Sequence, residues 1–364
     1  MTLTVVSSSP VDAESVRESA EEFEVKPPVT VQAAAESGLV PKIRRAFDTR
    51  YLNVHGCAAS DSDRERVAAY VAQYDLIWVL NSRTPNILQR WQWPHTHLDV
   101  DDVPSTYLRT MAQGGPNPFV RWKARAQQLL LKRRERSFLR RFTTISVCSD
   151  EDRIYLGGAD QIHVIPNGFE RPASAPVPKP SNPPRIGFIG LYSYAPNLDG
   201  VRWFLKECWP AVRQAVPGLR FRLIGKDTDG ALKPAEVDVD ALGWVTDPAA
   251  EIATWSAMVI PIRFGGGTRI KIADAFSRKC PVVSTSVGAF GYPVEDGKQL
   301  RRADTPQDFA RACVDVVRNP LEASTMAERA WHEFLDKWTW DAIAPKVRAA
   351  ADDCLQRSTH GIPS

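Results

Sequence analysis

Residues 261–275 read PIRFGGGTRIKIADA. Gly265, Gly266 and Gly267 follow an apolar run, Trp255–Ile262, that predicts a strand. They precede Thr268-Arg269-Ile270-Lys271, and 268–278 has helical spacing. A strand that turns through glycines into a helix builds an anion site. Glycines admit close backbone approach, the free N–H groups of the first helical turn point outward, and the helix dipole favours negative charge there. Arg269 and Lys271 put two cations at the end where cations are electrostatically unfavourable for the helix. A bound anion resolves that conflict. Asp274 follows on the next turn, placed to accept hydrogen bonds from sugar hydroxyls. Phosphate plus hydroxyls is the chemistry of a nucleoside diphosphate with its ribose. The plainer reading is a glycine turn with two solvated cations.

Outward from this stretch the second half alternates. A short strand starting at Arg185 ends at Gly190, and 198–215 carries Val201, Phe204, Leu205, Trp209 and Val212 at helical spacing. Leu219–Ile224 is a strand closed by Gly225, Cys280–Ser284 a strand, and 305–318 a helix. Such alternation builds a parallel, doubly wound sheet, with ligands beyond the carboxyl ends of its strands. Residues 170–184, ERPASAPVPKPSNPP, form a stiff linker between two halves. In the first half, strands are expected at Leu3–Ser7, Tyr51–Val54, Leu76–Leu80, His97–Val100, Thr143–Val147 and Ile162–Ile165, and helices at 62–73, 118–141 and 149–156.

Composition sets the bounds. The chain has 364 residues, 46 Lys+Arg and 43 Asp+Glu, for a net charge of +3, which fits two domains and excludes a strongly basic nucleic-acid binder. Its six cysteines form no CxxC pair, which removes zinc ribbons and thioredoxin-type sites and leaves buried free thiols. The N-terminal stretch lacks a basic start, and no apolar run approaches the ~20 residues of a spanning helix. A cytoplasmic protein is expected.

The order and spacing of several landmarks carry a resemblance. They are Gly190, Tyr194-Ala195-Pro196-Asn197, Trp203-Phe204, Gly243-Trp244-Val245-Thr246-Asp247, GGGTRIKIADA, Pro281-Val282-Val283-Ser284-Thr285 and Gly288-Ala289-Phe290-Gly291. Together they resemble the donor-binding domain of GT-B glycosyltransferases, of the family-4 retaining type and its bacterial triple-glycine branch, over nearly all of 185–345. The resemblance implies an α/β fold of two Rossmann-like domains facing across a cleft, with parallel sheets flanked by helices. It places an acceptor-side domain at 1–169, the linker at 170–184, the donor domain at 185–337 and a helix crossing back at 338–357. It implies transfer of a sugar, with retention of configuration, from a nucleotide-diphosphate-sugar to a hydroxyl of a glycan or lipid-linked acceptor, in cell-surface polysaccharide synthesis. No cofactor and no obligatory metal are implied.

The same resemblance implies roles. Arg269 and Lys271 match residues that hold the donor diphosphate. Asp274 stands where the second Glu of a Glu–seven residues–Glu pair holds the ribose, and the first Glu falls at Gly266. Trp244 and Val245 lie where the nucleobase packs. Gly190, Asn197, Arg263, Gly265, Gly267 and Thr268 complete the expected donor site. In the first half, His97–Ser105, Val147–Asp152 and Ile165-Pro166-Asn167-Gly168 resemble acceptor-domain landmarks. Asp101 or Asp102 is expected near the transferred sugar, with Asp101 the candidate catalytic residue. The family opens with a strand leading into a glycine-rich loop, whereas here Ser7-Ser8-Ser9-Pro10 follows the first strand. That implies a start one βα unit late. A non-catalytic subunit of the same fold, binding a nucleotide or a glycan as a scaffold, stays open beside the enzyme.

Three further features have two readings each. His95-Thr96-His97-Leu98-Asp99-Val100-Asp101 alternates like the start of a two-metal hydrolase site, or is a polar strand end. Its Asp99-Val100-Asp101 spacing recurs at Asp61/Asp63, Asp150/Asp152, Asp227/Asp229 and Asp238/Asp240, so no metal is inferred. Residues 121–141 carry nine Lys/Arg and one Glu, with Trp122, Ala126, Leu129, Leu130, Phe138 and Phe142 as an apolar face. That is a helix lying on the inner face of an anionic membrane, or one covering the first sheet. Trp91 and Trp93 line an acceptor groove or pack in the core.

Overall fold

The structure, a computed structural model, describes residues 2–7, 14, 24–52, 56–115, 117–228 and 237–359. Ser8, Ser9 and Pro10, which follow the first expected strand, lie outside the described residues.

In the first half the strands are β1 (Thr2–Leu3), β2 (Val6–Ser7), β3 (Glu24–Val25), β4 (Val29–Thr30), β5 (Ala33–Ala35), β6 (Cys57–Ala59), β7 (Ile77–Leu80), β8 (Trp93–Asp99), β9 (Phe142–Val147) and β10 (Ile162–Val164). The last four form one parallel sheet in the order β10-β9-β8-β7. All six residues of β9 are buried, as expected for a central parallel strand covered on both faces. The expected strand over Leu3–Ser7 is instead two short pieces. They run parallel to 24–30 and stand outside the four-stranded sheet. Tyr51 and Leu52 are not a strand. Both are buried, and the Leu52 N–H is satisfied by Asn86 Oδ1 at 2.9 Å, a side chain that replaces a ladder partner. Asn53 and Val54, the rest of that expected strand, lie outside the described residues, and the next described strand is β6. The helix expected over 118–141 spans Pro118–Glu135, followed by a single 3₁₀ turn at Phe138–Arg140. It breaks there because Phe138 and Phe142 enter the core.

The strands of the second half are β11 (Arg185–Ile189), β12 (Arg220–Ile224), β13 (Val239–Gly243), β14 (Ala257–Ile260), β15 (Val282–Ser284) and β16 (Arg301–Arg302). They form one parallel sheet in the order β13-β12-β11-β14-β15-β16. Counted from β11 this is 3-2-1-4-5-6, the doubly wound order whose ligand crevice opens between the first and fourth strands. The segment expected as one helix over 198–215 is Ala195–Trp203, a π turn Phe204–Cys208, and Trp209–Ala215. Pro210 has no N–H for the carbonyl one turn back, and the wider turn accommodates that gap.

Backbone hydrogen bonds tie the end of the first half to the chain beyond the second sheet. Phe169 N–H donates to Trp338 O at 2.9 Å, and Trp340 N–H to Phe169 O at 3.0 Å. Beyond them the helix Trp340–Thr359 packs on β8, β9 and β10, with Asp353 3.0 Å from His163 Nε2. The cysteines are free thiols, all buried except the half-buried Cys57.

Candidate active site

β14 is wholly buried and runs out through Pro261–Phe264 to the three glycines. The helix Ile270–Ser277 then begins, with Arg269 at its N-cap and Ile272, Ala273, Ala275 and Phe276 anchoring its inner face. The first turn is therefore fixed by the core and points at the crevice. A cavity of 480 Å³ lies there, at the carboxyl ends of β11 and β14. Its polar lining includes Asn197, Arg269, Lys271 and Asp274 from the second half and Asp102 from the first.

Arg269 is 9% exposed. Its Nη1 donates to the carbonyls of Gly266 and, at 3.2 Å, Gly267. Its Nε and Nη2 are buried without a hydrogen-bond partner. Unsatisfied buried charged donors cost several kcal/mol and mark a place for an acceptor. Lys271 Nζ donates to Asn197 Oδ1 at 3.2 Å and lies 5.0 Å from the Phe188 ring centre. The Asn197 amide is oriented by its Nδ2, which donates to Leu191 O at 2.8 Å. Burial, with the Arg269 charge beside it, brings the Lys271 ammonium down to about 8. Both cations carry more donor capacity than the protein uses. Asp274 lines the cavity while its Oδ1 pairs with Arg278 at 2.9 Å.

The opposite wall corrects the expectation at the aspartate pair. Asp101, at φ 58°, turns its Oδ1 to the Cys148 thiol at 3.3 Å and does not line the cavity. Asp102 does. Water reaches it, yet protein crowds it from both sides. That desolvation, with the Asp101 charge, raises its carboxyl to about 6 against the opposing pull of Arg269. The adjacency of the two residues left either possible in sequence, and the left-handed turn at Asp101 selects between them.

The glycines also meet the first half. A side chain on Gly267, at φ 63°, would collide with the Asp102 carboxylate, and one on Gly266 with Tyr107. Thr110 Oγ1 donates to Gly265 O at 2.7 Å and lies 2.8 Å from the Gly265 N–H. Close approach is thus used between the halves, by the helix Pro104–Gly114, as well as at the cavity. Its N-terminus is held by Glu135, which accepts from the Ser105 N–H at 2.8 Å and from its hydroxyl. Burial pushes Glu135 up to about 7.

Of the expected donor residues, Gly190, Asn197, Gly266, Thr268, Arg269, Lys271 and Asp274 line the cavity. Gly265 and Gly267 do not line it and instead meet Thr110 and Asp102. Arg263 does not reach it, because both its forks bind Asp199 at 2.7 and 2.9 Å. Trp244 is 70% exposed with Lys226 over its ring, and Val245 packs on the core; neither lines the cavity. Asp102, Tyr194 and Phe169 line it without having been singled out as donor contacts. His97 is a buried strand residue with both ring nitrogens bonded, to Thr144 and Ser146 at 2.9 Å. Burial brings it down to about 3. Trp93 is core, stacked on Phe142, and Trp91 packs edge-on against Tyr51. Among the described residues no three His, Cys, Asp or Glu side chains converge on a metal position.

Comparison with known proteins places this geometry. Residues 183–319 match the family described as Glycosyl transferases group 1. The match begins in the linker and ends past the glycine helix, so it contains the cationic wall. The chain is 27% identical over 203 residues to an uncharacterized 44.6 kDa protein in the cps region of Klebsiella pneumoniae. That match takes in 51% of the chain and 52% of the relative, so the chain spans about half the length of the curated relative it matches. Among solved structures, sucrose-phosphate synthase from Thermosynechococcus elongatus superposes with a TM-score of 0.66 at 15% identity, over 97% of this chain and 96% of its own. HepE from Anabaena, solved in complex with UDP and glucose, superposes with a TM-score of 0.59 at 15% identity, over 96% and 91%. The fold is GT-B: two parallel α/β sheets flanked by helices, facing across a cleft.

Proposed function

We propose that the chain is a glycosyltransferase. It moves a sugar from a nucleoside diphosphate sugar to a hydroxyl of a glycan or lipid-linked acceptor, with retention of configuration, in cell-surface polysaccharide synthesis. The observation that carries this is the buried Arg269, with two unpartnered donor nitrogens, beside Lys271 at a helix N-terminus in the crevice of a doubly wound sheet. A diphosphate seated there accepts from the guanidinium, the ammonium and the first helical turn. As the bond from the sugar to the diphosphate breaks, negative charge grows on the leaving oxygen. These donors are already in place to stabilise it, and such preorganised stabilisation is typically the largest catalytic contribution. Asp102 faces them from the other half, where the sugar and the incoming hydroxyl would lie. The glycine loop docked on Thr110 and Tyr107 keeps water from the leaving group. The reading needs no metal. The cps-region relative and the UDP and glucose bound by HepE support the donor class and the setting.

The test is thermal unfolding of the full chain with UDP, GDP, ADP and dTDP, with and without EDTA, followed by transfer assays with the matching sugar donors. One nucleoside diphosphate is expected to raise Tm, indifferent to EDTA, with the rise lost in Arg269→Ala. A clear rise without donor hydrolysis or transfer would favour a nucleotide-binding scaffold. No rise with any of them would remove the donor site.

A further inference from the structure

The helix Pro118–Glu135 buries one face, with Ala124, Leu131, Arg134 and Glu135 turned inward. Its opposite face is not polar. Phe119 is 70% exposed, Trp122 69%, Leu129 66% and Leu130 37%. At 3.6 residues per turn these four and Ala126 fall within an arc of about 100°, on the side away from the buried face. Phe119 and Trp122 stack on each other, with ring centres 6.4 Å apart. Arg121 and Arg125 stand on one shoulder of the stripe and Lys123 on the other, all exposed, while Arg133 lies within it near its C-terminal end. From 118 to 134 there is no acidic residue.

A second helix repeats the pattern. Leu39–Phe47 buries Arg45, which pairs with Glu36 at 2.7 Å, and turns its apolar side outward. Leu39, Val40, Ile43 and Phe47 are exposed, Phe47 at 81%, with Lys42 and Arg44 beside them and again no acid. The two helices meet at their C-terminal ends. Arg134 Nη2 donates to Arg45 O at 2.7 Å and to Ala46 O at 2.6 Å. Large apolar side chains exposed together in this way mark a contact site.

We infer that the first half docks on an anionic lipid bilayer through the outward poles of the helices Leu39–Phe47 and Pro118–Glu135. Charge complementarity chooses the occupant. Each stripe lies on the outer side of its helix, and the charged residues in and beside it are all cations. An interfacial helix has this layout, its apolar face sunk about 5–10 Å and its cations at the headgroups. This inference stands on the surface alone and not on the activity proposed above.

The test is co-sedimentation of the full chain with phosphatidylcholine vesicles and with vesicles containing about a third phosphatidylglycerol. Retention is expected on the anionic vesicles only, with release as salt rises to about 0.5 M and the screening length falls to a few ångströms. The double variant Trp122→Glu/Leu129→Glu and the single Phe47→Glu should each weaken retention, the double by at least about tenfold. Leu321→Glu, at an equally exposed leucine in the second half, should not. All four positions are exposed, so an unchanged Tm is expected and checks that the variants fold. No retention on anionic vesicles, equal retention on both kinds, or retention indifferent to the Trp122, Leu129 and Phe47 changes would overturn the inference. So would a solution dimer that the double variant dissociates while vesicles retain neither form, since the ridge would then be an interface between copies.

Discussion

The two walls of the cleft are built by different means. The cationic wall stands on one strand, one loop and one helix, backed by a core that runs through all of the second half. Arg269 and Lys271 are where they are because β14 and the inner face of Ile270–Ser277 are buried. The acidic wall has a slighter backing, the buried Val100 and Val103 on either side of the Asp101-Asp102 turn. Asp102 sits on a turn after β8, the next helix is held by the Glu135 carboxyl, and the strands nearest the N-terminus are two or three residues long. Its core is smaller, centred on the four-stranded sheet with Val31, Leu52 and Ala59 added from outside it. One wall is positioned by packing along a whole strand and helix face, the other by two buried valines and by side-chain hydrogen bonds.

That contrast can be broken most sharply at Lys271. Lys271→Ala is expected to lower the transfer rate at least about a hundredfold, measured as kcat with saturating donor, since it removes a preorganised donor from a packed wall. An unchanged rate would take Lys271 out of the mechanism. The pH dependence has a fixed sign. The ammonium is charged below about 8, so nucleoside diphosphate affinity should hold at neutral pH and fall as pH rises through that value. Lys271→Arg, which stays charged, should flatten the fall.

The acidic wall gives a smaller, more selective effect. Asp102→Asn is expected to lower kcat by about ten- to a hundredfold, and Asp101→Asn to stay within about twofold. With the Asp102 carboxyl at about 6, activity that needs the carboxylate falls as pH drops through 6, and that acid limb should vanish in Asp102→Asn. Equal losses in both variants would erase the distinction drawn between the two residues.

The smallest effect tests how the acidic wall is held. The Glu135 carboxyl lies at about 7 in the folded chain, above its ordinary 4.5, so the folded state keeps the proton. The stability this gives is full below 4.5 and is lost as pH rises through 7. Glu135→Gln keeps a neutral acceptor for the Ser105 N–H and does not titrate. It should raise unfolding free energy by about 1–2 kcal/mol at pH 8 and by almost nothing at pH 4.5, read from urea denaturation. A loss at both pH values would mean the carboxylate itself holds the helix.

Much of the second half could be read along the chain. Its strands are apolar runs, its helices have clear periodicity, and its anion site is contiguous, so local pattern and final geometry agree. The first half resisted for a physical reason. Tyr51 and Leu52 are buried like strand residues, but a side chain, Asn86, takes the hydrogen bond that a ladder would supply. The helix Leu39–Phe47 was missed because its apolar residues point to solvent, which reverses the expected sense of amphipathicity. Arg263 and Trp244 lay at plausible spacing, and only the fold shows Asp199 engaging one and solvent surrounding the other.

By itself the sequence determined the doubly wound second half, the prolines between the halves and the cations at the start of the glycine helix. Each is a property of neighbours in the chain, where propensity, periodicity and the helix dipole act over a few residues. The tertiary structure decided which aspartate faces Arg269, that the glycines also seat the first half through Thr110 and Tyr107, and that two apolar ridges meet at Arg134. These are meetings of segments from 88 to 167 residues apart along the chain, and no local rule fixes the angle at which such segments arrive.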